Sequence, residues 1–255
     1  MIDTLGMSLE PGILLPAFAA GLLVLASHVP LGQAVLKRGI VFLDLAIAQI
    51  AGLGVVIAHS LGGAELGDYG PWLTQLAAVS AALLGALFLH RMERLASARQ
   101  EAIIGVTFVA AACLALILMS HDPHGAEHLQ DLLVGQILWT TWSDLLPLVA
   151  VTALMLAAWY GLGWRASPLA FYLLFALTIT ASVQVVGIYL VFASLIVPAL
   201  VAGESLARGL AIGAAGYALG LIASGLFDLP SGAAIVLALV AVAGLLTLLK
   251  KDPHA

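Results

Sequence analysis

Charge is what this sequence has little of. Only 9% of its 255 residues are charged, while 63% are hydrophobic; a soluble domain carries about 25% charged residues. A soluble chain of this length could bury one core, but it would still need a polar surface, and there are too few polar residues here to make one. Lipid is therefore the solvent for most of the surface. The single cysteine, Cys113, lies inside the apolar run Ile103–Met119, which excludes a disulfide framework and a thiolate metal centre. No phosphate-cradling G-x-x-x-x-G-K-[ST] sequence is present, so the chain cannot itself hold ATP in such a loop. Basic patches with interleaved aromatics are missing, and nucleic acid is not an expected partner. The opening MIDTLGMSLEPG has acids where a cleavable signal has bases, so the first apolar run is expected to be a retained helix.

What is present is a series of long apolar runs without the two-residue alternation of a barrel strand. Backbone groups in lipid must bond within their own segment, so the runs are helices. Nine are expected, at about 12–30, 40–60, 71–90, 102–120, 145–162, 169–185, 188–202, 209–226 and 232–249, forming one transmembrane domain over 1–255. The nine basic residues are Lys37, Arg38, Arg91, Arg94, Arg99, Arg165, Arg208, Lys250 and Lys251. With nine crossings and the N-terminus outside, all of them fall on the cytoplasmic side, as the positive-inside rule demands. The opposite loops hold Glu65, Asp68, Asp122, Glu127, Asp131 and Asp228. This count requires an even number of crossings between Arg165 and Arg208, so 169–202 is expected to fold as two short helices with a tight turn at Gly187. The 26 glycines, spread through the spans, suit close helix packing in lipid.

Four stretches carry a resemblance, in order: LGQAVLKRGIVFLDLAIAQIAGLG at 31–54; EAIIGVTFVAAACLALILMS at 101–120 followed by LQDLLVGQILWTTWSDLL at 129–146; ASVQVVGIYLVFASLIVPALVA at 181–202; and FDLPSGAAIVL at 227–237. Together they resemble the permease subunits of the zinc/manganese/iron ABC importer family, over about four fifths of the chain. The resemblance implies a bacterial plasma (inner) membrane protein that pairs with a second permease copy. It also implies two cytoplasmic ABC ATPase subunits and an extracytoplasmic metal-binding protein that delivers the cargo. On this reading the chain is not an enzyme and binds no cofactor; the divalent metal ion is the transported substrate.

The residues point the same way. Asp44 lies inside the second span, where a carboxylate costs several kcal/mol unless paired or hydrated. It fits an aqueous cation path; equally it could pair with Lys37, Arg38 or a neighbouring helix. The family often has a histidine four residues after this aspartate, on the same helix face. Here that position is Ala48, and Gln49 comes five later, so either the helix carries a one-residue bulge or the site differs. A glutamine oxygen suits manganese better than zinc. His59 and Gln184 are further candidates for the path, and His28 and Gln136 are other intramembrane polar residues. Pro198 removes a helix hydrogen bond to the Ser194 carbonyl, and broken helices line transporter pathways. His121, Asp122, His124 and His128 in the outer loop could form a weak metal funnel or a plain solvated loop.

The cytoplasmic loop GLGWRASP at 161–168 is much shorter than the family's, in which a helix engages the ATPase. The basic, helix-prone segment around Arg91, Arg94 and Arg99 is the expected replacement contact. Two rival functions follow: an ATP-independent metal permease or channel on the same scaffold, and a membrane interaction subunit that moves nothing.

Overall fold

The computed structural model describes residues 10–60, 70–93, 97–120, 130, 133–164 and 167–249, and among these there is no strand. Among the described residues nine α-helices follow one another: α1 (Pro11–Arg38), α2 (Leu43–Ser60), α3 (Gly70–Met92), α4 (Ser97–Met119), α5 (Leu145–Leu156), α6 (Pro168–Val186), α7 (Ile188–Ala202), α8 (Leu206–Phe227) and α9 (Ser231–Leu249). A short 3-10 turn, Ile137–Trp139, precedes α5, and a π turn, Ala157–Gly161, ends it. Seven of the nine are long and apolar enough to cross a membrane; α5 with its π turn and α7 are shorter. At 15 residues α7 spans about 22 Å.

Local chemistry sets most of the ends. Pro11 and Pro168 each sit at the start of a helix, where a missing N–H is no loss. Ser167 and Ser205 accept from the amides of Ala170 and Arg208 and cap α6 and α8. Gly39, at φ 69°, closes α1 in the left-handed conformation. Helix α1 extends eight residues past the expected end of the apolar run, to Arg38 rather than 30. Pro30 lies inside it without ending it, because Leu31, Gly32 and Val35 are buried against neighbours. Packing there outweighs the lost hydrogen bond.

The contacts divide the bundle into two ends. Lys37 and Arg38, the first turn of α2, Glu93, Gln100, Tyr172 and Glu204 share one end, called here the basic end. The backbones of Val134, Gly135, Gly187 and Gly232 meet at the other. Thus α6 leaves the basic end at Tyr172 and α7 returns to it at Gly203, whose carbonyl accepts from Gln33 at 2.8 Å. Helix α2 packs on α3, α4 and α6; α1 packs on α5, α7 and α8; α9 closes the far side against α7 and α8. Large apolar side chains such as Val106, Ile117, Leu237 and Leu248 are 65–83% exposed, which is a lipid-facing surface.

Candidate ion path at the basic end of α2

Asp44 is the second residue of α2, in the first helical turn. Its side chain is 1% exposed, and neither carboxylate oxygen has a hydrogen-bond partner. The nearest donors are the amides of Asp44 and Leu45, and neither meets hydrogen-bond geometry. The two bases that the sequence offered as partners are engaged elsewhere: Lys37 Nζ lies 2.8 Å from Glu204, and Arg38 Nη1 lies 2.7 Å from Glu93. Arg38 also stacks over the ring of Phe171, 4.3 Å from its centroid. Glu93 in turn meets His90 Nδ1 at 3.2 Å, His90 packs on Tyr172, and Gln100 donates to the Tyr172 hydroxyl at 2.7 Å. This network ties the ends of α1, α3, α4 and α6 together at the end of the bundle where α2 begins.

The remaining candidate residues lie apart. Helix α2 runs without a bulge, so Gln49 is turned about 140° from Asp44 and is only half-buried. His59 is exposed on the last turn of the same helix, 15 residues and about 22 Å from Asp44. Gln184 is exposed near the end of α6, also away from the basic end. Asp44 and Gln49 are therefore not brought onto one face, nor is His59 or Gln184 brought beside Asp44. Arg91 and Arg99 are exposed at the basic end. Arg94, His121, Asp122, His124 and His128 lie outside the described residues.

Gly187, between α6 and α7, has φ 78° and ψ 163°, and a Cβ there would collide with the backbone of Val134 and Gly135. Pro198 is buried within α7. One turn before it, Ser194 Oγ hydrogen-bonds the Tyr217 hydroxyl at 2.8 Å.

Two polar features were not singled out as sites from the sequence. His28 is fully buried on α1, with Nδ1 3.0 Å from Ser27 Oγ and Nε2 without a partner. Glu101, the only carboxylate on α4, accepts from the Phe42 amide at 3.1 Å through Oε1, while its Oε2 is buried without a partner. It lies near enough to Asp44 for their charges to interact. The signal for Glu101 was an acid at the start of an otherwise apolar run. Among the described residues no group of three or more His, Cys, Asp or Glu is placed to hold a metal ion.

Apolar helices with lipid-facing side chains, packed through glycines and holding buried polar groups between them, define a multi-pass membrane protein of the transport class. The chain belongs to the ABC 3 transport family, which it matches over residues 11–166 and 155–250. The two matched stretches meet at the short loop after α5. Membership makes it a multi-pass protein of the bacterial plasma (inner) membrane. It is 27% identical to the manganese transport system membrane protein MntC of Listeria innocua serovar 6a over 233 residues, which cover 81% of this chain and 80% of that protein. The protein of the same name from Listeria monocytogenes serovar 1/2a matches equally well. Among solved structures, PsaBC from Streptococcus pneumoniae in complex with Fab shares the fold, with TM-score 0.70 at 22% identity over 96% of this chain and 95% of that one.

Proposed function

We propose that the chain is the membrane-spanning permease subunit of an ABC-type importer for a divalent metal ion, with manganese the leading candidate over zinc and iron. The observation that carries this is Asp44: a fully buried carboxylate with both oxygens unpartnered and the neighbouring bases committed to other acids. Burying such a group uncompensated costs several kcal/mol. A passing cation removes that cost. Ala48 in place of an imidazole one turn later leaves oxygen chemistry alone on this face, and oxygen ligands suit Mn2+ better than Zn2+. The name of the Listeria relatives agrees with this choice.

The assembly we infer has two permease copies, two ATPase subunits at the basic end and a metal-delivering protein at the opposite end. Arg91, Arg94 and Arg99 are the proposed ATPase contact, because the loop after α5 is too short to hold a docking helix. The outer-loop residues His121, Asp122, His124 and His128 are proposed as a metal funnel, with His59 and Gln184 on the route inward. Hydrolysis of ATP belongs to the partner. The short loop also motivates a second reading, an ATP-independent permease on the same scaffold. Co-purification with an ATPase subunit separates the two.

The test is Asp44→Asn, which keeps the shape and removes the charge. The expected outcome is normal insertion and dimer formation with a large loss of Mn2+ uptake, because the path would lose a charge that lowers the barrier for a cation. Normal uptake would remove Asp44 from the path.

A further inference from the structure

The first turn of α2 is held from outside its own helix. The Phe42 carbonyl accepts from Ala46 at 3.2 Å, which makes Phe42 the residue that caps the helix. A cap residue's own N–H is commonly satisfied by a glutamate three positions into the helix. Here that position is Leu45, which cannot do it. Glu101 does it from α4: its Oε1 accepts from the Phe42 amide at 3.1 Å, across 59 residues of sequence. The Phe42 side chain is pinned from the other side, stacked on Phe192 of α7 with ring centroids 6.4 Å apart and planes 11° from parallel. Asp44 is two residues beyond this anchor. It makes no side-chain hydrogen bond of its own, so its position depends on the backbone turn that carries it.

We propose that Glu101 is a positioning residue: docked from α4 on the Phe42 amide, it supplies from another helix the missing cap of α2 and so fixes the turn that carries Asp44. This rests on the reading of Asp44 as part of the ion path. It makes α4 the helix that sets the geometry of a site on α2. The first turn of α4 carries Arg99, part of the segment proposed to meet the ATPase, so a shift of α4 on nucleotide binding would move the Asp44 turn through the Glu101–Phe42 hydrogen bond.

The experiment compares Glu101→Gln, Glu101→Ala and Glu101→Asp in the full transporter. It follows initial Mn2+ uptake and hydrogen–deuterium exchange of the peptide covering 40–46. The glutamine keeps an acceptor oxygen for Phe42, so uptake is expected within about threefold of wild type, the margin set by a neutral in place of a charge-assisted bond. The alanine removes the acceptor. Its uptake is expected to fall about ten- to a hundredfold, the usual effect of losing a group that orients a metal-contacting side chain, with faster exchange over 40–46. The aspartate, one methylene short, is expected to fall between them in both readouts, and it serves if the alanine variant does not reach the membrane. In an Asp44→Asn background, Glu101→Ala is expected to add no further loss of uptake, because it acts only through Asp44.

Glutamine behaving as badly as alanine would mean that the charge of Glu101 itself is on the path, and would overturn the positioning role. Exchange over 40–46 that stays unchanged in the alanine and aspartate variants would overturn it as well. Normal uptake by Asp44→Asn, together with altered exchange in Glu101→Ala, would instead retain the cap and remove the ion-path reading on which it rests.

Discussion

The two ends of this bundle are held together by different physics. At the basic end, charged and aromatic side chains do the joining: Arg38 with Glu93 and Phe171, His90 with Glu93 and Tyr172, Gln100 with Tyr172, and Glu101 with the Phe42 amide. At the opposite end, backbones touch directly. Gly135 and Gly187, both at positive φ, face each other's main chain, and Gly232 faces the Val134 carbonyl. The polar joints link the ends of α1, α3, α4 and α6. They are assembled from groups that can exchange partners. The glycine joints have no side chains to rearrange and close the α6–α7 hairpin rigidly. The difference teaches where movement belongs. If the ATPase of the proposed function binds at the basic end, exchangeable contacts lie where it acts and a fixed pivot lies opposite.

The comparison depends first on which end faces the cytoplasm, and that outcome is all-or-none. In a background with Cys113 replaced by Ser, a cysteine at Gly125 is expected to react with an impermeant maleimide added outside, and a cysteine at Ser97 is not. The reverse pattern would invert every assignment of partner to end.

A break of the rigid end comes next in size. Gly187→Leu is expected to reduce folded yield sharply. The left-handed backbone alone costs about 1–3 kcal/mol in a non-glycine residue, and the side chain would also collide with the Val134 and Gly135 backbones. Detergent-solubilised yield and melting temperature measure it. A wild-type melt would show that the hairpin tolerates bulk and is no pivot.

At the polar end, Arg38→Ala is expected to lower stability by about 2 kcal/mol, the scale of a hydrogen bond to a charged group together with a cation–π contact. Arg38→Lys is expected to recover less than half, because lysine lacks the planar fork that reaches Glu93 while stacking on Phe171. Full rescue by lysine would reduce this joint to a point charge.

The smallest effect is expected at Glu204. The hydrogen bond from Lys37, and then its charge, hold this carboxyl below its ordinary value of 4.5. A lowered folded value stabilises above the ordinary glutamate range and loses that contribution as the pH falls below it. The pair is exposed, 65% and 85% for the two side chains, and solvent screens it. Glu204→Gln is therefore expected to leave the melting temperature at neutral pH within error, and any wild-type advantage should vanish below pH 4.5. A clear drop at neutral pH would make this exposed pair one of the joints of the polar end.

Much of the fold was legible along the chain. The expected span 188–202 coincides with α7, and the others differ from their helices by a few residues at each end, α1 excepted. There the apolar run stops near residue 30, but the helix continues through Gln33, Lys37 and Arg38, because hydropathy marks the edge of the lipid and not the end of the hydrogen-bond ladder. The site was legible only in part. Asp44 stood out as a carboxylate in an apolar run. That Lys37 and Arg38 would turn away from it could not be read, since their partners Glu204 and Glu93 lie 167 and 55 residues away. Gln49 shares the Asp44 face only if a one-residue bulge brings it round, and the unbroken α2 leaves it on another face.

The sequence by itself determined the solvent and the secondary structure, because each is a sum over local composition: 63% hydrophobic residues and long runs without alternation. It also carried the family through ordered motifs distributed along the chain. Only the tertiary structure decided which polar groups are satisfied. Whether Asp44 is paired, who caps Phe42, and what fills the space beside Gly187 depend on contacts between helices distant in sequence. In lipid the outward faces are as apolar as the inward ones, so hydrophobicity says that a helix crosses without saying which face meets which neighbour.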